Sequence, residues 1–277
     1  VTGADTIEEW LREVCSQYKF NVRGVLQTDS PGAEWPITIT GPQDLEEKLA
    51  TRGHLLPLPK EPASLANIIE VSIIDFIISA ITGAGGIAFQ RGSERGYPDL
   101  EVSGPRFGGG HHAIDIKAAR RAVTASGVPN GRTQSRITLY TGNTYFKWPA
   151  LHWPGTFRPF GDYETHLDVL VIYTLNEASA WRVDDLEVIV QEPWRIASKK
   201  RSSTTREYIG AVDSIAALRE GRGEFDTPEE FYRFWRAFQF KISAQVSNQL
   251  NKLMTAQQAE LDRLRGAAQG GSGSLQG

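Results

Sequence analysis

A chain of 277 residues, 40% of them hydrophobic, can bury a core large enough for one big domain or two closely packed ones. Its single cysteine, Cys15, excludes an intrachain disulfide framework and a cysteine zinc cluster and fits a reducing cytosol, so a cytoplasmic protein is expected. The net charge of −3 argues against a polyanionic partner only until its distribution is read: seven Lys/Arg against one acid, Asp115, lie from Pro105 to Lys147, and five Lys/Arg with no acid from Arg195 to Arg206. Two basic islands in an acidic body can hold a polyanion on one face. The plainer alternative is that both islands are solvated faces.

In chain order, Thr6-Ile7-Glu8-Glu9 has the form of a capping box, and Ile7, Trp10, Leu11, Val14 and Tyr18 recur at helical spacing, which predicts an amphipathic opening helix. Val1 begins no signal-peptide layout. Val22 to Leu26 reads as a short strand, a loop follows near Ser30-Pro31-Gly32, and Pro57, Pro59 and Pro62 make an irregular connection. Ser64 to Ile81 reads as a buried helix, apolar on nearly all sides and stopped at Gly83-Ala84-Gly85-Gly86. The longest apolar run, Ile68 to Ile81, is interrupted by Glu70 and Asp75, so no membrane span is expected. Glu70 is the odd member of this helix. A buried acid is costly unless paired or metal-bound, and an exposed edge or an arginine partner would also explain it.

Ile87 to Gln90 could form an edge strand leading to Tyr97-Pro98-Asp99. After a glycine-rich gap comes Ala113-Ile114-Asp115-Ile116-Lys117, a strand pattern with Ile114 and Ile116 on one face and Asp115 and Lys117 on the other. Gly104, Gly108, Gly109 and Gly110 suit a hairpin-like return that would set Asp99 beside Asp115. Two converging carboxylates repel unless a cation sits between them, and hard oxygen ligands favour Mg²⁺. With Lys117 alongside to orient or deprotonate a water, this is equipment for hydrolysing a phosphodiester. The bland alternative is a surface Asp–Lys pair on a solvated strand.

Arg136 to Tyr140, Leu167 to Thr174 and Leu186 to Gln191 are further strands, the second almost wholly apolar and therefore central. Between the first two, Trp148-Pro149, Trp153-Pro154 and Phe157 form an aromatic loop that could stack on bases or pack over the sheet edge. Lys199-Lys200-Arg201-Ser202-Ser203-Thr204-Thr205-Arg206 has no apolar residue and reads as a mobile loop rich in phosphate and base-edge donors, or simply as a solvated one. Thr227-Pro228-Glu229-Glu230 caps a helix with apolar face Phe231, Phe234, Trp235 and Phe238. Ile242, Val246, Leu250, Leu253, Leu261 and Leu264 extend an amphipathic pattern suited to a subunit interface. Residues 267–277 read as a flexible, low-complexity tail of the kind left by cloning. No internal repeat is evident.

In this order the segments resemble the EcoRV type II restriction endonuclease family, within the PD-(D/E)xK nuclease superfamily. The likeness is carried by Tyr97-Pro98-Asp99, Ile114-Asp115-Ile116-Lys117 and Tyr163-x-x-His166 running into Val171-Ile172-Tyr173-Thr174. It continues through Gln191-x-x-Trp194-x-Ile196-Ala197, Ser203-Thr204-Thr205, Ile209-Gly210, Gly221-x-Gly223-x-Phe225-Asp226 and Glu229-x-Phe231-x-x-Phe234-Trp235-Arg236, with Phe20-Asn21-Val22-x-Gly24-Val25 at the start. Several of these pieces lie outside any catalytic motif.

The resemblance implies an α/β fold with a mixed central sheet of five or six strands flanked by helices. It implies one endonuclease domain over 1–266, dimerising through about 1–85, binding and cutting DNA through about 86–240, and ending in a C-terminal helix. By the same likeness Asp99 and Asp115 are metal-binding carboxylates, Lys117 the catalytic lysine and Glu70 an auxiliary metal ligand, with Ile116 offering its carbonyl. Ser203, Thr204 and Thr205 fall in a loop reading base edges in the major groove, Gln90 and Arg91 in a loop approaching the minor groove, and Asn143 and Thr144 near the scissile phosphate. The family pattern departs at Lys199-Lys200-Arg201, which make the reading loop more basic, Ser202 and Arg206 being its other DNA-binding candidates, and arginine favours guanine. The expected protein is a homodimer that cuts both strands of double-stranded DNA at a short palindromic site with Mg²⁺, centrally and bluntly, leaving 5′-phosphates. A repair or recombination nuclease of the same fold, or a DNA-binding module without catalysis, are the alternatives.

Overall fold

The computed structural model describes residues 6–20, 40–44, 46–47, 62–93, 96–176, 183–203 and 207–271. The strand expected at Val22 to Leu26, the loop near Ser30-Pro31-Gly32, and Pro57 and Pro59 lie outside them. The opening helix, α1 (Ile7–Ser16), has its capping box: Glu9 N–H donates to Thr6 Oγ1 at 3.2 Å, and Thr6 N–H donates to the Glu9 carboxylate at 3.1 Å. The second helix, α2 (Pro62–Gly83), starts at Pro62 rather than leaving that residue in an irregular connection, because proline's fixed φ and missing N–H suit a first turn. Contrary to the expectation that no run would reach such a length, its Ser64–Gly83 portion is long and apolar enough to cross a membrane by length and composition. What it packs on is the sheet: Leu65, Ile69, Ile73, Ile77 and Ile81 are buried in one cluster with strand residues Ile114, Ile116, Leu167, Val169 and Val171.

The strands of the main sheet are β1 (Ala88–Arg91), β2 (Leu100–Ser103), β3 (His111–Val123), β4 (Pro129–Thr133), β6 (Thr165–Leu175) and β7 (Val183–Gln191), in the order β1-β2-β3-β6-β7 with β4 paired to β3. Only the β3–β6 pairing is parallel, so the six-stranded sheet is mixed, as expected. The apolar β6 is central. Three more strands, β5 (Thr138–Thr141), β8 (Ala197–Arg201) and β9 (Tyr208–Ala211), make a separate antiparallel sheet in the order β5-β9-β8. Here the structure corrects the sequence reading: Lys199-Lys200-Arg201 belong to β8 and not to a mobile loop. Their backbone is held by β9, which the polar run after Ala197 in β8 concealed.

Short helices α3 (Pro193–Ile196) and α4 (Ile215–Glu220) precede α5 (Pro228–Ala237), where Thr227 Oγ1 accepts from Glu230 N–H at 3.2 Å. The last helix, α6 (Ala244–Gly271), runs through the first part of the stretch expected to be a flexible tail. Ile242 precedes it. Its Val246, Leu250 and Leu253 pack with Leu151, Trp148 and buried Trp153, so the aromatic loop serves packing at that tryptophan.

Two cores result. The α1/α2 side of the main sheet is aliphatic. The other side, toward the small sheet and α5, is much richer in aromatic residues, with Tyr97, Tyr140, Phe146, Phe160, Phe231 and Trp235 packed among Ile, Leu and Ala side chains.

Candidate active site

The β2–β3 hairpin builds the site. Leu100 pairs with Ile114 and Ser103 with His111, and the return between them needs Gly104, at φ 121°, where a Cβ would strike the Gly86 carbonyl. Asp99 stands just before β2 begins. Pairing of β2 ends at Leu100↔Ile114, and Ile116 N–H donates instead to Asp99 Oδ2 at 2.6 Å. Gly92 N–H donates to Asp99 O at 2.7 Å, and a Cβ on Gly92 would collide with the Pro98 carbonyl, so the loop after β1 clamps the Pro-Asp segment from outside.

On β3 the alternation puts Ile114 and Ile116 into the aliphatic core and Asp115 and Lys117 on the opposite side. Lys117 Nζ lies 2.5 Å from Asp115 Oδ2, 3.9 Å from Asp99 Oδ2 and 3.2 Å from the Ile116 carbonyl oxygen. Glu70 reaches the same end of β3 from α2, its carboxylate accepting from Ala118 N–H at 2.9 Å. The structure therefore brings Asp99, Asp115, Ile116 O, Lys117 and Glu70 together.

Asp115 is 5% exposed. Burial pushes its carboxyl up to about 7, with Asp99 adding to the rise and Lys117 opposing it. Burial would lower the Lys117 amine, but the charges of Asp115, Asp99 and Glu70 hold it above the ordinary lysine value. Burial also raises Glu70, against the pull of Ala118 N–H and Lys117.

Among the described residues no three His, Cys, Asp or Glu side chains form a ready-made metal cage. Fit to a hard divalent cation rests on a different observation. The three oxygens nominated as ligands already surround one positive charge, the Lys117 ammonium, and carboxylate and carbonyl oxygens are the donors Mg²⁺ prefers.

One acid near this cluster was missed. Asp168 on β6 is the register partner of Asp115, is 0% exposed, and neither carboxylate oxygen has a hydrogen-bond partner. Burial raises its carboxyl well above the usual range, and the Asp115 charge adds to this. The signal was present: a lone acid in an otherwise apolar central strand.

Two clefts flank the cluster. One, of about 450 Å³, is lined by Asn67, Glu70, Arg91, Ser93 and Asp99 among others. The second, of about 370 Å³, is bordered by Lys117, Arg120, Gln134, Ser135, Arg136 and Thr138. Arg120 and Arg136 belong to the first basic island of the sequence, and the cleft is what brings them next to Lys117.

Of the other nominated residues, Gln90 and Arg91 are exposed on β1, and Arg91 pairs with Asp75 at 2.7 Å. Asn143 is a correction: it is 1% exposed and its amide is committed to Glu207, so its side chain is turned inward. Thr144 is half-buried, its hydroxyl donating to Thr141 O at 3.5 Å. Lys199 is tied down as well, its N–H donating to Glu224 at 2.6 Å and its Nζ to Glu230 at 3.2 Å. Lys200 is exposed, Arg201, Ser202 and Ser203 are half-buried, and Ser202 Oγ accepts from Thr138 Oγ1 at 2.8 Å. Thr204, Thr205 and Arg206 lie outside the described residues.

The family model described as restriction endonuclease EcoRV matches residues 32–259, most of the chain. This chain belongs to the EcoRV restriction endonuclease family. Its similarity to the type II restriction enzyme EcoRV of Escherichia coli is 22% identity over 207 residues, covering 69% of this chain and 80% of that enzyme. Family membership makes the chain a site-specific deoxyribonuclease, a hydrolase acting on DNA, with the mixed α/β architecture described above. The matched span includes Glu70, Asp99, Asp115, Ile116 and Lys117.

Proposed function

We propose that this endonuclease hydrolyses both strands of double-stranded DNA at a short palindromic site with Mg²⁺, cutting centrally to leave blunt 5′-phosphate ends. The observation that carries the reading is the convergence of Asp99, Asp115 and the Ile116 carbonyl on one cationic point, with the Lys117 amine at that point.

Asp99, Asp115 and the Ile116 carbonyl would hold the divalent ion, with Glu70 as an auxiliary ligand. A bound Mg²⁺ would screen the phosphate charge and lower the pKa of a water. Asp99 is oriented for its part by Ile116 N–H, and Asp115 by its place in the buried strand. Lys117 positions the attacking water and stabilises the negative charge that develops on the phosphoryl oxygens. A water oxygen–phosphorus bond forms, the bond from phosphorus to the 3′-oxygen breaks, and a proton reaches that leaving oxygen to give a 3′-hydroxyl.

The protein acts as a homodimer, dimerised through its N-terminal part with α2 nearby, so that two active sites address the two strands of a palindrome. Lys200, Arg201 and the 202–206 segment read the major groove, and the Gln90–Arg91 end of β1 approaches the minor groove. Thr144 lies near the scissile phosphate, while Asn143 holds its turn in place through Glu207. The single cysteine, which fits a reducing compartment, and the family support a cytoplasmic setting.

Digestion of plasmid DNA with Mg²⁺, followed by sequencing of the fragment ends, tests the proposal. Discrete fragments with blunt ends at one palindrome are expected. Cutting confined to nicks, mismatches or junctions would replace it with a structure-specific nuclease.

A further inference from the structure

Helix α6 is held by the body of the protein only near its start, where Val246, Leu250 and Leu253 pack with Trp148, Leu151 and Trp153. From Met254 to Gly266 every residue is exposed. Among the described residues the side chains of this stretch bond only within the helix: Gln258 to Asp262, Glu260 to Arg263, and Arg265 to Asp262. A helical segment of this length is marginal in water by itself, and helices in proteins persist mainly because one face is packed.

The exposed part carries a seam. Leu250, Met254, Gln257, Leu261 and Leu264 follow one another at spacings of four, three, four and three residues, the alternation that keeps one stripe turned toward a partner helix in a left-handed coiled coil. Met254, Leu261 and Leu264 are 47%, 43% and 52% exposed, so the stripe runs on past the body into solvent. With Met254 and Leu261 at a positions and Gln257 and Leu264 at d positions, Glu260 falls at g and Arg265 at the next e. In a parallel pair these two face each other across the seam, Glu260 of each helix toward Arg265 of the other. An antiparallel pair sets g beside g and e beside e, which brings like charges together. Three cations and two acids between Lys252 and Gly266 give the stretch no basic face for DNA. The family match ends at residue 259, so the charged half of the seam lies outside the span shared with the family.

We infer that α6 projects from the body to pair with the α6 of a second copy of this chain, parallel and in register. Met254, Leu261 and Leu264 are then buried between the helices, and Glu260 meets Arg265 across them. The pairs that Glu260 and Arg265 make within the helix do not stand in the way, because exposed pairs of that kind contribute little and exchange readily. Gln257 supplies one polar layer, which selects register at some cost in stability. The seam is short and adds a contact between copies; it does not rest on the N-terminal dimer proposed above.

Disulfide trapping in the full chain tests the pairing, with the one native thiol removed by Cys15→Ala. Gln257→Cys and Leu264→Cys each place a thiol in the seam, and Ala259→Cys places one on the opposite face of the helix. In a glutathione redox buffer, covalent dimers are expected from both seam positions, at least about tenfold faster than from Ala259→Cys, because facing thiols meet at an effective concentration that free collision does not supply. If Cys15→Ala does not fold, the chain with its buried Cys15 is the parent, and its own failure to cross-link is the control. Glu260→Arg or Arg265→Glu alone is expected to slow trapping through Leu264→Cys. Mixing the two charge variants restores it, which no effect inside a single helix can do.

Dimers from neither seam position, or equally fast from Ala259→Cys, overturn the pairing. Dimers from one seam position and not the other overturn the parallel register, since an antiparallel pair sets a residue against its own copy at one level only. Charge variants that trap at the unaltered rate overturn the match of Glu260 to Arg265.

Discussion

The two faces of β3 are built by opposite rules from alternate residues of one strand. On the α1/α2 side, Ile114 and Ile116 join a layer that is aliphatic wherever it is buried, apart from Trp10, Cys15, Tyr18, Phe107 and Tyr173. On the other side, Asp115 and Lys117 enter a core in which Tyr, Phe and Trp are mixed with Ile and Leu and which also contains His166 and Asp168. The aliphatic side chains fix where the strand lies and do no chemistry themselves, Glu70 at the edge of α2 being the one group from this side that reaches the site. The aromatic face takes polar groups, because aromatic rings with hydroxyl and ring-nitrogen edges tolerate them at lower cost than methyl groups do. The Tyr97 hydroxyl and His166 Nδ1, 2.6 Å apart, show this directly. A catalytic strand in such a sheet is held by one face and active on the other.

The strongest way to break this division is at the active face. Asp115→Ala is expected to lower the single-turnover cleavage rate by about a thousandfold or more, since it removes a group that would hold the metal at the developing charge. DNA binding measured without cleavage should persist. Unchanged strand cleavage would sink the assignment of this site.

Next comes the ion pair that fastens the aromatic loop beside Asp99. Glu101 is buried on β2, and Arg158 donates to it twice, at 2.7 and 2.8 Å. Burial works against the Glu101 charge, but Arg158 wins and the carboxyl lies below its ordinary value. Arg158→Met should cost about 3 kcal/mol at neutral pH, the low end for breaking a buried pair, because the Glu101 carboxylate loses its two guanidinium bonds but keeps His111 Nδ1 at 3.3 Å. The sign with pH follows from the lowered value. The pair's contribution is complete above the unfolded carboxylate range and lost as pH falls through the lowered folded value. Melting curves of variant and wild type should therefore converge in acid, and a gap independent of pH would mean that packing rather than charge is responsible.

On the quiet face, Ile73→Ala in α2 removes a fully buried side chain and should cost about 3 kcal/mol in urea unfolding. Cleavage per folded molecule should be unchanged. A rate loss without a stability loss would show that the aliphatic layer does more than hold the strand.

How much of this was legible beforehand differs between the faces in the same way. The aliphatic layer was readable, because α2 and β6 announce themselves by runs of Ile, Val and Leu and α1 by its capping box. The hairpin that joins Asp99 to Asp115 was readable from glycines between two short strands. The small sheet was not. In β8 only Ala197 and Ser198 are buried, and its pairing with β9 is made by backbone atoms that no side-chain pattern records. For the same reason Lys199 looked free when it is held by Glu224 and Glu230. Asn143 was expected at the scissile phosphate by resemblance alone, yet burial and Glu207 decide where its amide points, and neither is visible in a neighbouring residue.

Asp168 belongs to the aromatic face but has neither a partner nor a place in the proposed chemistry, which makes it the sharpest test of how well that face tolerates polar groups. Its carboxyl is raised in the folded protein, by burial first and by the Asp115 charge second. A raised acid binds a proton more tightly when folded, so its unfavourable effect grows as pH rises above the ordinary aspartate range and is least in mild acid. Asp168→Leu should therefore stabilise the protein at neutral pH, by about 1–3 kcal/mol, the cost of an unsatisfied buried polar group. The advantage should shrink as pH is lowered. Paired urea titrations at neutral and mildly acidic pH measure both effects. A leucine variant less stable than wild type at neutral pH would mean that water or another group satisfies Asp168, and that the polar cluster around Asp115 is a supported network, not a tolerated cost.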